Sequence, residues 1–247
     1  MSDPIETVEG WYALHDFRQI DRPAWANLTA NERDAAISRL QALAEEWQET
    51  EDIHEGSTGI YQIIGHKADL LFVNMRPAMD DLASIELAVD QSAAGQVLRR
   101  PYSYFSVVEL SKYLVKSSQP FTELPGVKER LFPLLPKTHY ICFYPMNKRR
   151  EGNDNWYSLS REQRREIMKG HGIIGHRYAD RVTQIITGSQ GLDDWEWGVT
   201  LYSDDTLDFK KLIYEMRFDE ASARFAEFGP FMVGRRLAPG QLGRIFG

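Results

Sequence analysis

The 247-residue chain is 43% hydrophobic and 26% charged, the make-up of a soluble globular protein with enough apolar residues for a sizeable core. Its formal charge of −7, with no basic tail, argues against general nucleic-acid affinity, and its single cysteine, Cys142, excludes an intrachain disulfide framework or a multi-cysteine zinc site. No stretch approaches the roughly 20 apolar residues of a bilayer span and MSDPIETVEG lacks a signal-peptide pattern, so a cytoplasmic protein is expected.

In chain order, Trp11 to Phe17 reads as a strand. An amphipathic helix follows from about Thr29 to Trp47, with Thr29 and Glu32 spaced as a capping box. Strands over Gly59 to Ile64 and Asp69 to Met75 flank a hairpin turn, and a helix over Met79 to Gln91 precedes a strand over Tyr102 to Glu109. Pro120, Pro125, Pro133 and Pro136 interrupt any regular pattern between about Lys116 and Lys137. The same order then returns. A strand over His139 to Tyr144 is followed by a helix from Ser160 to about Arg177. Strands over Val182 to Thr187 and Trp195 to Tyr202 come next, then a helix from Asp205 to about Phe225 and a short strand from Pro230 to Gly234. Each half reads β-α-β-β-α-β, which predicts an α+β fold of two ferredoxin-like modules sharing a joined antiparallel sheet or barrel with outer helices. The expected division is an N-terminal module over 1–115, a connecting segment over 116–138 and a C-terminal, ligand-binding module over 139–247.

Four segments carry candidate chemistry. In HYICFYPMNKRR, alternation puts Tyr140, Cys142 and Tyr144 on one strand face, and Met146 and Lys148 extend it if the chain continues past Pro145, where a ladder is expected to end or fray. An ordinary strand tyrosine and a surface lysine account for the same pattern. The cluster Lys148-Arg149-Arg150 reads as a solvated loop, or as a site for a ligand bearing several carboxylates. In REIMKGHGIIGHRYADR, helical spacing aligns Ile167, His171, Ile174 and Tyr178, so His171 sits on an apolar stripe. Gly170 and Gly172 beside it each cost roughly 1 kcal/mol relative to alanine in a helix interior, which something flat packed on the helix would explain. A core histidine bonded to a carbonyl is the competing reading. Gln184 shares a strand face with Val182 and Ile186, lining a cavity or reaching water at a sheet margin. An unpaired buried amide there would cost on the order of 1–3 kcal/mol. Phe209, Leu212, Ile213 and Met216 form one helical stripe with Lys210 and Lys211 solvated. Arg217 and Ser222 are placed either to hold a ligand carboxylate or, for Arg217, to pair with Glu220. No Gly-rich phosphate loop, serine-hydrolase elbow or paired metal-histidine motif occurs.

Taken together, YPMNKRR, DNWY, HGIIGHRYADRVTQIITGSQGLDDWEWGVTLYSDD and KKLIYEMRFDEASARFAEFGPFMVG resemble the coproheme decarboxylases of the chlorite-dismutase-like family. GWYALHDFR and YSYFSVVELS extend the resemblance into the first half. It implies peroxide-dependent oxidative decarboxylation of two propionates of Fe-coproporphyrin III (coproheme) to vinyl groups, yielding haem b in the last step of coproporphyrin-dependent haem biosynthesis. It further implies a homopentamer in transient contact with the preceding ferrochelatase. By the same resemblance His171 is the iron ligand, Tyr144 the redox-active residue forming a tyrosyl radical, Lys148 its catalytic companion and Gln184 the distal residue. Arg130, Met146, Asn147, Trp156, Arg217 and Ser222 border the porphyrin or its propionates. A chlorite dismutase relies on a distal arginine where this chain has Gln184. A non-catalytic haem carrier or regulator would have no use for Tyr144 and Lys148 on one face.

Overall fold

The computed structural model describes residues 4–111 and 124–247. Its elements follow the expected double order. The first half holds β1 (Thr7–Ile20), α1 (Arg22–Asn27), α2 (Ala30–Glu49), β2 (Ser57–Ile63), β3 (Leu70–Arg76), α3 (Met79–Asp90) and β4 (Leu98–Ser111). The second holds α4 (Val127–Leu131), β5 (Tyr140–Lys148), the two-residue strands β6 (Arg150–Glu151) and β7 (Asp154–Asn155), and α5 (Arg161–His176). It continues with β8 (Thr183–Gly188), β9 (Trp197–Ser203), α6 (Thr206–Met216), α7 (Glu220–Ala223), β10 (Ala226–Phe228) and β11 (Met232–Arg236). The fold is α+β. Residues 116–123 of the expected connecting segment lie outside the described residues. Among the described residues, no helix is long and apolar enough to cross a membrane.

The chain forms two compact units, each drawing on separate stretches of sequence. One comprises Trp11–Ser106 with Met232–Gly247. Its sheet runs β11-β2-β3-β1-β4, and α2 and α3 bury one face. The Thr29 capping box starts α2: Thr29 Oγ1 accepts from Glu32 N at 3.3 Å, and the Glu32 carboxylate accepts from Thr29 N at 2.7 Å. Ala36, Leu40, Leu43, Ala44 and Trp47 then recur at helical spacing and pack with Ile60, Leu70, Phe72 and Val89. The C-terminal 3₁₀ turn Pro239–Ile245, which no sequence pattern announced, adds Leu242, Ile245 and Phe246 to this core.

The other unit comprises residues 1–10 with Val107–Phe231. Here β10, β5, β9 and β8 form antiparallel ladders, and β8 pairs with Val107 and Val108 at the end of β4. Two expectations are corrected. The strand does not fray at Pro145, which pairs with Gly198 within a β5 that reaches Lys148. The Pro145 carbonyl accepts from Gly229 N at 2.8 Å, so the bonding side of the proline faces the end of β10. Its missing N–H therefore interrupts no rung between β5 and β9. The single helix expected over 205–225 is two, α6 and α7, because Asp219 caps a new start by accepting from Ser222 N at 3.0 Å.

Leu40 is fully buried at the centre of α2, so Leu40→Ala should destabilise the protein by about 2–5 kcal/mol in urea unfolding.

Candidate functional site

Register determines which side chains share a face. Tyr144 on β5 pairs with Val199 on β9, which pairs with Ile186 on β8; one row along, Cys142, Leu201 and Gln184 align in the same way. Directly paired residues lie on one side of a sheet, so Tyr144, Gln184 and Ile186 look out from a single face. Helix α5 crosses this face: a Cβ on Gly175 would lie 3.7 Å from Gln184 Nε2 and 3.4 Å from Met216 Cε of α6.

Helix α5 begins with a capping box between Ser160 and Gln163, is strongly amphipathic in sequence, and buries little of its apolar stripe. Its buried residue is Arg164, whereas Ile167, His171 and Ile174 are only part-buried and Ile173 is 53% exposed. Opposite, Ile186 is 45% exposed, unusual for an isoleucine on the covered face of a sheet. A Cβ on Gly170 or Gly172 would meet nothing within 4 Å. The two glycines are exposed and not required by packing within the chain. A part-exposed apolar stripe with small residues beside a histidine fits a flat, hydrophobic ligand.

His171 Nδ1 donates to Asp219 Oδ2 at 3.0 Å, which places the ring proton on Nδ1 and leaves Nε2 with its lone pair for a metal. Ser222 supports the carboxylate through its backbone N–H to Oδ1 (3.0 Å) and its hydroxyl to Oδ2 (3.1 Å). Burial alone would raise the Asp219 pKa, but the bonds from His171 and Ser222 outweigh it and hold the group below its usual value, as the anion. Asp219 is the site residue that sequence reasoning missed. Its signal was an Asp three positions before a Ser within an apparent helix, the spacing of a helix restart. Among the described residues, no group of three or more His, Cys, Asp or Glu side chains is placed to hold a bare metal ion.

Tyr144 is buried at 4% exposure, its ring stacked on Phe231 at 4.5 Å between centroids and tilted against Phe228 at 5.7 Å. Burial, reinforced by Cys142 and opposed by Arg217, raises its pKa well above the ordinary tyrosine value. The phenol is therefore protonated at neutral pH and can be oxidised only with loss of its proton. Lys148 lies with Nζ 4.5 Å over the Trp156 ring. Desolvation lowers its pKa to about 8, against the opposing pull of Asp219 and Glu196. Lys148 thus interchanges a proton near neutral pH.

The other expected residues divide. Met146 lies part-buried, paired with Trp197 and Phe228. Trp156 is buried and meets Phe225 edge-on at 5.4 Å. Asn147 Oδ1 accepts from Glu196 N at 2.8 Å. Arg217 lies with its guanidinium carbon 3.6 Å from the centroid of Phe228, while Glu220 pairs with Arg224 at 2.6 Å. Ser222 is engaged with Asp219. Arg130 stands exposed on α4 and, among the described residues, makes none of the contacts that tie the others together.

A family model described as Chlorite dismutase matches residues 33–237. Coproheme decarboxylases from two strains of Thermus thermophilus are each 52% identical over 235 residues, covering 95% of this chain and 93% of the relative. A solved structure described as a novel heme-binding protein, also from Thermus thermophilus, matches with a TM-score of 0.95 at 50% identity, over 100% of this chain and 99% of that one. A chlorite dismutase variant from Candidatus Nitrospira defluvii matches with a TM-score of 0.78 over 96% of this chain and 95% of its own, but at 20% identity it speaks for the fold alone. The chain belongs to the chlorite dismutase family.

Two outcomes follow from this geometry. Asp219→Ala frees the imidazole to rotate and should weaken iron-porphyrin binding about 10–100-fold in a spectral titration. Because the Lys148 pKa is lowered from 10.5 to about 8, the folded chain binds fewer protons than the unfolded chain between those values. Charged Lys148 therefore costs stability below about pH 8, and the cost is relieved as pH rises towards 10.5. Acylation of its amine, read by mass spectrometry against Lys148→Met, should show a midpoint near pH 8.

Proposed function

We propose that this protein is a coproheme decarboxylase. It would convert two propionates of Fe-coproporphyrin III to vinyl groups with hydrogen peroxide and release haem b as the last step of coproporphyrin-dependent haem biosynthesis. The observation that carries the reading is the pairing of an oriented histidine on α5, its Nε2 available to iron, with a buried, protonated tyrosine on the sheet face that α5 crosses. The 52% identity to coproheme decarboxylases supports it.

Each propionate loses carbon dioxide, one β-hydrogen atom and one further electron, two electrons and a proton in all, and one peroxide takes up two electrons and two protons to become two waters. When bound, the iron porphyrin would supply the two-electron reduction of peroxide and take up the second electron of each decarboxylation. The chain's own residues do the rest. His171 would hold the iron through Nε2, and Asp219 fixes its ring. Tyr144 gives up its phenolic hydrogen as a tyrosyl radical forms, then takes the hydrogen of the propionate β-carbon. Lys148 pairs with the reacting carboxylate while charged, and its neutral amine accepts a proton. Gln184 lies opposite the helix as the distal amide, a weaker electrostatic partner than the arginine a chlorite dismutase uses. Met146, Asn147, Trp156 and Arg217 border the porphyrin, Arg130 reaches a propionate, and Ser222 acts through Asp219. A homopentamer in the cytoplasm, receiving coproheme through transient contact with the preceding ferrochelatase, completes the reading and rests on the family resemblance.

Loading the protein with iron coproporphyrin III and titrating peroxide should give a product lighter by two carboxyl groups and their β-hydrogens. Unchanged coproheme would overturn the assignment. Tyr144→Phe should bind coproheme normally yet fail to convert it, and full-rate conversion by that variant would remove the radical role.

A further inference from the structure

We infer that Glu196 is a positioning residue for the reaction, serving as a side-chain rung that holds the β9 edge of Lys148 beyond the point where the β5–β9 ladder ends, while β10 pairs its other edge. The inference rests on the decarboxylase reading.

The ladder between β5 and β9 ends at the pair Met146–Trp197. Two residues on, the N–H of Lys148 points the same way as that of Met146, and the register places Trp195 opposite it. The Trp195 carbonyl is turned elsewhere, accepting from Ser189 Oγ. The Glu196 carboxylate stands in its place: Oε2 accepts from Lys148 N at 2.8 Å, and the opposite oxygen lies 3.6 Å from Arg150 Nη2. The contact is reciprocal, because Glu196 N donates to Asn147 Oδ1 at 2.8 Å. One residue thus clamps 147, 148 and 150 together.

The clamp governs more than one amide. Arg149 N donates to Phe225 O at 2.8 Å and Trp156 N to Arg149 O at 2.9 Å, so the turn bearing β6 and β7 folds Trp156 back beneath the Lys148 ammonium. The charges facing that ammonium are Asp219, from the break between α6 and α7, and Glu196 itself, with Arg150 paired to the latter. The Glu196 side chain is 12% exposed and both its oxygens are engaged, so it acts through Lys148 rather than on substrate. Placement of a reacting group to about 1 Å governs rates by up to about 100-fold.

The test has two readings. In the protein without porphyrin, hydrogen exchange across residues 146–149 should accelerate roughly tenfold or more in Glu196→Ala and remain near wild type in Glu196→Gln, whose amide oxygen still accepts from Lys148 N. With iron coproporphyrin III bound and peroxide added, Glu196→Ala should convert on the order of 10–100-fold more slowly at unchanged coproheme affinity. Glu196→Gln should stay within about threefold. In a Lys148→Ala background the Glu196→Ala loss should vanish, since the two act as one unit. A loss that persists in that background, unaltered exchange, or a Glu196→Gln as impaired as Glu196→Ala would each overturn the inference. If Glu196→Ala does not fold, Glu196→Asp, one methylene shorter, should reproduce its exchange and rate effects. Failure of the wild-type chain to convert coproheme would count against the decarboxylase reading, while exchange would still decide whether the clamp exists.

Discussion

The site depends on one buried carboxylate. Asp219 accepts from the His171 ring, from Ser222 N and from Ser222 Oγ. The local chain is built around that demand: α6 stops at Met216 and α7 restarts at Glu220 so that Asp219 can cap the second helix while facing the first site residue. Burying an anion is costly unless donors compensate, and three do. The result is an imidazole with a defined tautomer, which a histidine free to turn on a helix surface would lack.

Around that anchor, low dielectric acts on two groups of opposite type. It raises the Tyr144 phenol and lowers the Lys148 ammonium, favouring the neutral form of each. The aromatic box of Phe228 and Phe231 isolates the phenol, and Asp219 and Glu196 limit the fall at Lys148. A protonated phenol on the same strand as a lysine that exchanges its proton near pH 8 suits chemistry in which hydrogen moves and charge does not accumulate.

The two repeats use the same order of elements differently. In the first, α2 buries Ala36, Leu40, Leu43, Ala44 and Trp47 in a filled core. In the second, α5 buries Arg164 and leaves its aliphatic stripe part-exposed around His171. The difference is one of filling, and it supports the proposal that the second repeat is the binding module. A helix that does not cover its sheet with its own side chains has surface available for a ligand.

Periodicity in the sequence was enough to establish the double β-α-β-β-α-β order, because strand and helix repeats arise from local geometry that each segment carries alone. It also placed His171 on an apolar stripe and put Tyr144 and Lys148 on one strand face. Those are properties of spacing. Only the tertiary structure could show that β5 passes through Pro145, since that depends on which neighbour faces the missing N–H. It alone joined Asp219 to His171 across 48 positions and Glu196 to Lys148 across the same separation. Hydrogen bonds between distant segments follow from how strands register and helices break, and no local pattern encodes the partner.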